Sequence, residues 1–129
     1  MRYLIDGNNV FGARPDGWWN DRPAAMLRFT QRVAEWCRTL DEQDPGTVTV
    51  VFDQPVPDRV LELAGGNLRV LAAERHGRNA ADDAIARLAN DADAPDQLTV
   101  VTSDRGLRAR LPAAVTVVGA GRFRSLIDY

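Results

Sequence analysis

Aspartates occupy four separated segments of the chain, each at a point where an apolar run ends or a helical pattern begins. Asp6, Asp53 and Asp104 each follow a short apolar run, and the pair Asp82-Asp83 opens a helical pattern. Carboxylates that are brought together repel one another unless a cation joins them or some of them take up protons. Donor sets made only of oxygen favour a hard divalent ion. These residues therefore predict a site for Mg²⁺ or Mn²⁺, provided that the fold brings the four segments together.

Each of these aspartates also has a simpler structural explanation. The segment 6–9 has the composition of a turn, and Asp104 could cap the helical pattern that follows it. Asp53 precedes Gln-Pro and could merely end a strand. Asn79 with Asp82 three residues later resembles a capping box. Four segments that end alike are harder to explain as four independent caps, and the joint pattern favours a shared site.

The elements that would position these residues alternate along the chain. Short apolar runs rich in β-branched residues are typical of strands buried on both faces, and there are five: Arg2–Ile5, Thr47–Phe52, Leu68–Ala72, Leu98–Thr102 and Val115–Val118. Helical patterns lie between and after them, at residues 23–40, 80–92, 105–111 and 121–128. A weaker pattern at 57–64 could be a turn of helix or an irregular crossover. The alternation predicts an α/β fold, an open parallel sheet of about five strands with helices on both faces. The carboxyl ends of parallel strands share one edge, so the strand-end aspartates are predicted to meet there.

The periodicity of residues 80–92 distinguishes the two neighbouring aspartates. The predicted apolar face of this helix centres near three residues, Ile85, Leu88 and Ala92. At 100° per residue, Asp82 lies beside that face and Asp83 points largely away from it. Asp82 is therefore the stronger candidate for a metal ligand. Asp83 would reach the ion only if the first turn of the helix is irregular.

Composition limits the remaining options. The length of 129 residues predicts a single domain over residues 1–129, because one hydrophobic core serves chains of up to about 250 residues. All 16 basic residues are arginine, which excludes mechanisms that need a lysine, and the net charge of −2 is not that of a polycationic nucleic-acid binder. A single cysteine, Cys37, predicts a reducing, cytoplasmic environment. No stretch approaches the roughly 18 apolar residues of a membrane span.

The motifs and their order along the chain resemble a known family. IDGNNV at the first strand, VVFD at the second, NAADD at the start of a helix and VVTSDRGL at the fourth strand are similar to the NYN branch of the PIN-like nucleases. Within that branch they look most like the YacP-like bacterial ribonucleases, over roughly residues 2–118. The resemblance implies a three-layer PIN-like fold with strand order 3-2-1-4-5. It also implies an acidic pocket that binds Mg²⁺ or Mn²⁺ and cuts RNA.

By matching position, the resemblance implies catalytic roles for a set of four residues, Asp6, Asn9, Asp82 and Asp104. The three aspartates of this set would hold the metal, with Asp83 and Asp53 as further candidate ligands. Two departures from the family pattern are evident. Many relatives carry a further acid where this chain has Arg105-Gly106, and YacP-like proteins often have a tyrosine where Asn8 stands. The departures support an alternative, a PIN-like module that binds RNA or a protein partner without cutting.

Other residues near this edge are candidates for holding a single-stranded RNA. Arginine pairs with phosphate and stacks on bases, and polar side chains can add to this; the candidates are Asn8, Ser103, Arg75, Arg78 and Arg105. Two adjacent tryptophans, Trp18 and Trp19, lie in the polar loop 12–22. One could pack as a lid while the other stacks on a base or on a partner. The alternative for this pair is packing in the core or at a homodimer interface.

Overall fold

The computed structural model describes residues 2–15, 17–40, 46–74, 77 and 79–129. One sheet is formed by parallel strands β1 (Arg2–Asp6), β2 (Thr47–Phe52), β3 (Leu68–Ala72), β4 (Leu98–Val101) and β5 (Thr116–Val118). Their spatial order is β3-β2-β1-β4-β5. The predicted α/β class, the five parallel strands and the strand order are therefore confirmed. The fourth and fifth strands are each one residue shorter than predicted.

Helices connect the strands. They are α1 (Gly7–Gly12), α2 (Arg22–Cys37), α3 (Asp58–Leu61), α4 (Ala80–Asn90), α5 (Arg105–Ala109) and α6 (Ala120–Leu126). Short 3₁₀ turns cover Trp18–Asn20 and Pro95–Gln97. The four predicted helices are present with shifted ends, and the weaker pattern at 57–64 contains α3. No helix in the described part of the chain is long and apolar enough to cross a membrane.

The sheet is covered on both faces, as predicted. Alternate residues of a strand point to opposite faces, so in β1 Ile5 packs into one cluster and Leu4 into the other. The Ile5 cluster takes its helical side chains from α1, α2, α3 and α6, and the Leu4 cluster takes them from α4 and α5. Strand β1 lies at the centre, where Ile5 is in register with both Val50 and Val101. The carboxyl end of β1 therefore lies between the carboxyl ends of β2 and β4.

Helix α1 differs from the turn considered for the segment 6–9. Its glycine and asparagine residues are poor helix formers, but Val10 and Phe11 are completely or almost completely buried in the Ile5 cluster. Gly7 allows the helix to approach the sheet, because a Cβ at this position would lie 2.4 Å from the Phe52 ring. Tertiary packing therefore stabilises a helix that local preferences disfavour.

The buried face of α4 also differs from the prediction. Leu88 was placed at the centre of the apolar face, but it is 41% exposed. Ile85 is fully buried, and the residues buried beside it are the alanines Ala81, Ala86 and Ala89. The small alanines let α4 pack close to the sheet. Hydrophobicity alone misplaced the face because it weighted Leu88 above these residues.

Candidate functional site

Asp6, at the end of β1, is a buried carboxylate with only 3% of its surface exposed. Burial raises the pKa of Asp6 to about 7 from its usual 3.8, and the negative charges of Asp82 and Asp104 add to the effect. The Thr102 hydroxyl acts in the opposite direction, since it donates a 2.9 Å hydrogen bond to Asp6 Oδ2. Two segments that are distant in sequence from Asp6, the start of α4 and the residues after β4, thus influence one buried acid.

Thr102, which the sequence analysis did not single out, connects two of the predicted site residues. Its side chain is completely buried just beyond the end of β4. While its hydroxyl donates to Asp6, the same oxygen accepts a 3.1 Å bond from the backbone N–H of Asp104. The register of β1 with β4 pairs Ile5 with Val101, so a polar residue at 102 falls beside Asp6. The alignment of these two strand ends, and no motif in the sequence, is therefore what brings Thr102 to Asp6.

Asp104 caps α5 and also belongs to the group of interacting carboxylates. Its Oδ1 accepts a 2.9 Å bond from the backbone N–H of Leu107, so the capping explanation is correct. Its charge also raises the pKa values of Asp6 and Asp82. Capping and participation in a carboxylate group are therefore not alternatives at this residue.

Asp82 and Asp83 have different surroundings. The pKa of Asp82 is raised by burial and then by the charges of Asp104 and Asp53, while Arg110 lowers it. Asp83 instead forms an ion pair in which Arg110 Nη1 lies 2.8 Å from its Oδ1. The structure thus groups Asp82 with the other carboxylates and pairs Asp83 with an arginine.

Asp53 accepts a hydrogen bond at the start of α4. Its Oδ1 lies 2.7 Å from the backbone nitrogen of Ala81. The residue before the helix, Asn79, has a left-handed backbone with φ of 67° and makes no side-chain capping bond. The capping box expected from Asn79 and Asp82 is therefore wrong. The cap comes from a residue 28 positions away in the sequence, which a local motif cannot reveal.

Asn8 and Asn9, in the first turn of α1, reach toward opposite neighbours of β1. Asn8 Oδ1 accepts a 2.7 Å bond from the backbone N–H of Asp53, after β2. Asn9 Oδ1 accepts a 2.8 Å bond from the backbone N–H of Ser103, after β4. Ser103 Oγ in turn accepts a 2.8 Å bond from the N–H of Ala120 at the start of α6. The polar residues around the strand ends thus hold the edge of the sheet together.

The remaining substrate-binding candidates are three arginines. Arg105 is exposed in the first turn of α5, and Arg75 and Arg78 lie outside the described residues. Trp18 packs edge-on against Phe11, with ring centroids 5.7 Å apart. Trp19 contacts Trp18 edge-on and is 63% exposed. One tryptophan is therefore packed and the other is presented to solvent.

A cleft of about 400 Å³ opens beside the carboxylates of Asp82, Asp83 and Asp104. It is lined by Asn79, Asp82, Asp83, Asp104, Gly106, Leu107 and Arg110. The donor chemistry fits a hard divalent cation, because the charges of Asp82 and Asp104 raise the pKa of Asp6 and a positive charge between these groups would offset that repulsion. Among the described residues, however, no three His, Cys, Asp or Glu side chains are close enough together to form a metal-binding group. The charges suit a cation, and the side chains would have to move closer to hold it.

Comparison with known proteins identifies a structural relative. No protein-family model matches the sequence, and no curated protein matches it. Two crystal structures of Rae1 (YacP) from Bacillus subtilis, one of them of a mutant, superpose on the chain with a TM-score of 0.71. The chain has the fold of Rae1. The matches cover 98% and 99% of this chain and 74% of the Rae1 chain, at 23% sequence identity. The motifs suggested a PIN-like fold and a likeness to YacP. The match to Rae1 confirms both of these predictions at the level of the fold.

Proposed function

We propose that the protein is a metal-dependent ribonuclease that hydrolyses phosphodiester bonds at the carboxyl edge of its sheet. The observation that supports this most is that Asp82 and Asp104, from two other segments of the chain, lie close enough to the buried Asp6 for their charges to raise its pKa. A group of acids that keeps one member as buried as Asp6 costs stability without a cation, so its presence favours a functional explanation over a structural one. The fold shared with Rae1 (YacP) supports the same conclusion.

Asp6, Asp82 and Asp104 would hold Mg²⁺ or Mn²⁺ in this proposal. Bound there, such an ion supplies a positive charge that orients water, eases its deprotonation and neutralises charge growing on the phosphate. Thr102 holds the Asp6 carboxylate by a hydrogen bond that favours its ionised form. Asp83 is engaged by Arg110, so it is a weaker candidate ligand than Asp82.

The chain's own polar groups would position the RNA. Asn9 uses Oδ1 to hold Ser103, so its amide NH₂ group is the part that can donate to a phosphate oxygen. Arg105 is exposed at the start of α5, directly after Asp104, where its guanidinium can pair with phosphate. Arg75 and Arg78 precede α4 in the sequence and remain candidates for backbone contacts to a single strand.

The sequence has a single cysteine and therefore no partner for an intrachain disulfide, which supports a cytoplasmic location in this proposal. Cys37 is buried at the end of α2, and burial raises the pKa of its thiol to about 11. A thiol with this pKa is a poor nucleophile, so we assign it to the core and not to catalysis.

A binding module without catalytic turnover is the second candidate function. Among the described residues, no three His, Cys, Asp or Glu side chains lie close enough together to hold a metal ion, which favours this candidate. The pair Arg105-Gly106 also favours it, because many proteins of the family that the sequence resembles carry an acid there. Such a module would bind RNA or a protein partner, including a second copy of the chain, and leave RNA intact.

Cleavage of a labelled single-stranded RNA separates the two functions. The wild-type protein is expected to cut the RNA with Mn²⁺ or Mg²⁺ and to stop when EDTA is added. Asp104→Asn should abolish cutting while it preserves the α5 cap, because asparagine is an equally good N-cap residue. Asp96→Asn, which removes an exposed acid in the Pro95–Gln97 turn, is the matched control. RNA binding without any cleavage would favour the binding module instead.

A further inference from the structure

Asp53 accepts a hydrogen bond from the first turn of α4. The first N–H groups of a helix have no partners within it and are usually satisfied by the residue that precedes the helix. Asn79 makes no such bond here, and Ala81 N–H donates to Asp53 Oδ1 at 2.7 Å. A carboxylate at a helix N-terminus is also favoured by the helix dipole. Asp53 therefore performs for α4 the task of an N-cap residue, from the end of a different element.

Asp53 is itself held in place by α1, the helix that follows the central strand β1. Its backbone N–H donates a 2.7 Å bond to Asn8 Oδ1 in the first turn of α1. Two hydrogen bonds thus run in series, from the Ala81 N–H to the Asp53 carboxylate and from the Asp53 N–H to Asn8 Oδ1. These two bonds fix the position of α4 relative to the end of β1, where Asp6 lies.

We propose that Asp53 is a positioning residue, which fixes the first turn of α4 so that Asp82 faces Asp104. Asp82 directly follows Ala81, and each residue of a helix is rotated by 100° from the previous one. A rotation of this turn by a fraction of that angle would turn Asp82 away from Asp104. On this proposal Asp53 is not a metal ligand, although the sequence analysis counted it as a candidate. The inference rests on the proposed function, because it concerns the same carboxylates.

Two substitutions at one position separate positioning from ligation. Asp53→Asn keeps an Oδ1 acceptor for Ala81 but loses the charge, whereas Asp53→Ala loses both. We expect Asp53→Asn to keep its Mn²⁺ affinity within about threefold of the wild type, since asparagine caps as well as aspartate. Asp53→Ala should lose about tenfold or more, which is typical of residues that orient a ligand. Asp58, like Asp53, follows β2, and its side chain is exposed. Asp58→Ala is therefore the control for the loss of one charge.

Hydrogen exchange of the Ala81 amide, measured by NMR in the metal-free protein, gives a readout that does not need the ion. Protection should persist in Asp53→Asn and disappear in Asp53→Ala. The proposal is overturned if Asp53→Asn loses as much Mn²⁺ affinity as Asp82→Asn does, which would make Asp53 a ligand. It is also overturned if Asp53→Ala leaves the Ala81 amide protected. If the wild type neither binds Mn²⁺ nor cuts RNA, the proposed function fails, and the exchange experiment still decides whether Asp53 holds α4.

Discussion

Opposing interactions act on the ionisation of the Asp6 side chain. Burial and the charges of Asp82 and Asp104 favour its protonated form, while the Thr102 hydrogen bond favours the ionised form. The balance leaves its pKa at about 7. Near neutral pH the metal-free protein therefore holds a carboxylate that is only partly ionised, and a bound cation would favour the ionised form.

The stability of the metal-free protein should depend on pH through Asp6. The folded protein binds this proton more tightly than the unfolded chain, where the pKa is near 3.8. The contribution to stability is therefore complete below pH 3.8 and is lost as the pH rises through about 7. Asp6→Asn should match the wild type near pH 4 and exceed it above pH 7, by on the order of a few kcal/mol. Urea denaturation in EDTA at both pH values measures this, and equal curves above pH 7 would contradict it.

Asp82→Asn should reduce cleavage more than Asp83→Asn. Asp82 lies among the carboxylates, whereas Asp83 is partly exposed and paired with Arg110. Loss of that exposed pair should cost less than about 1 kcal/mol of stability. The kcat/KM values of the two variants, compared in the same buffer, measure the difference. Equal losses would show that both carboxylates reach the ion.

At the scale of elements, α1 links the site to the core. Its first turn carries Asn8 and Asn9, which hold the chain after β2 and β4, and its second turn buries Val10 and Phe11. The helix is only six residues long, so it depends on these contacts more than on its own hydrogen bonds. A disturbance of its packing should therefore be felt at the edge of the sheet.

Two glycines of α1 offer a matched test of this dependence. In Gly7→Ala the new Cβ would lie 2.4 Å from the buried Phe52 ring, so α1 or the ring must shift. We expect a loss of about 1–3 kcal/mol in the free energy of unfolding, as for other overpacked cores, together with reduced cleavage. Gly12→Ala is the control, because its Cβ would meet the Trp18 ring at an ordinary 3.7 Å. Equal stability of the two variants would show that α1 does not need this close approach.

The strands were predictable from the sequence, and α1 was not. Runs such as Thr47–Phe52 state their strand preference locally, through β-branched residues in an unbroken apolar series. The segment that begins at Gly7 has the composition of a turn and becomes a helix because of what packs against it. Leu88 was misplaced for a related reason, since the buried face of α4 is chosen by how closely its alanines fit the sheet.

The candidate site was predictable in outline from topology alone. Parallel strands place Asp6, Asp53 and Asp104 at one edge, and this holds whatever their side chains do. The bond from the Ala81 N–H to Asp53 and the double role of Thr102 depend on side-chain directions that the spacing of residues does not encode. The catalytic and metal-binding assignments, and the single domain over residues 1–129, stay predictions.

At the scale of the whole molecule, metal binding should be coupled to folding. Asp6, Asp82 and Asp104 come from distant segments, so the unfolded chain cannot assemble their site. An ion that binds only the folded state stabilises it by about 2.7 kcal/mol at a hundred times its dissociation constant. We therefore expect Mn²⁺ to raise the melting temperature of the wild type, and this shift to disappear in Asp104→Asn. If Mn²⁺ produces no shift even with a non-cleavable RNA present, the metal site is refuted.

The bond between Thr102 and Asp6 joins residues 96 positions apart and has a consequence for the chain during its synthesis. A ribosome makes Asp6 early, yet the partners of this edge emerge one after another, ending with Ala120, which donates to Ser103. Until then a nascent chain has the first aspartate without the residues that complete the edge. A chain interrupted before Ala120 is therefore expected to leave this edge of the sheet incomplete.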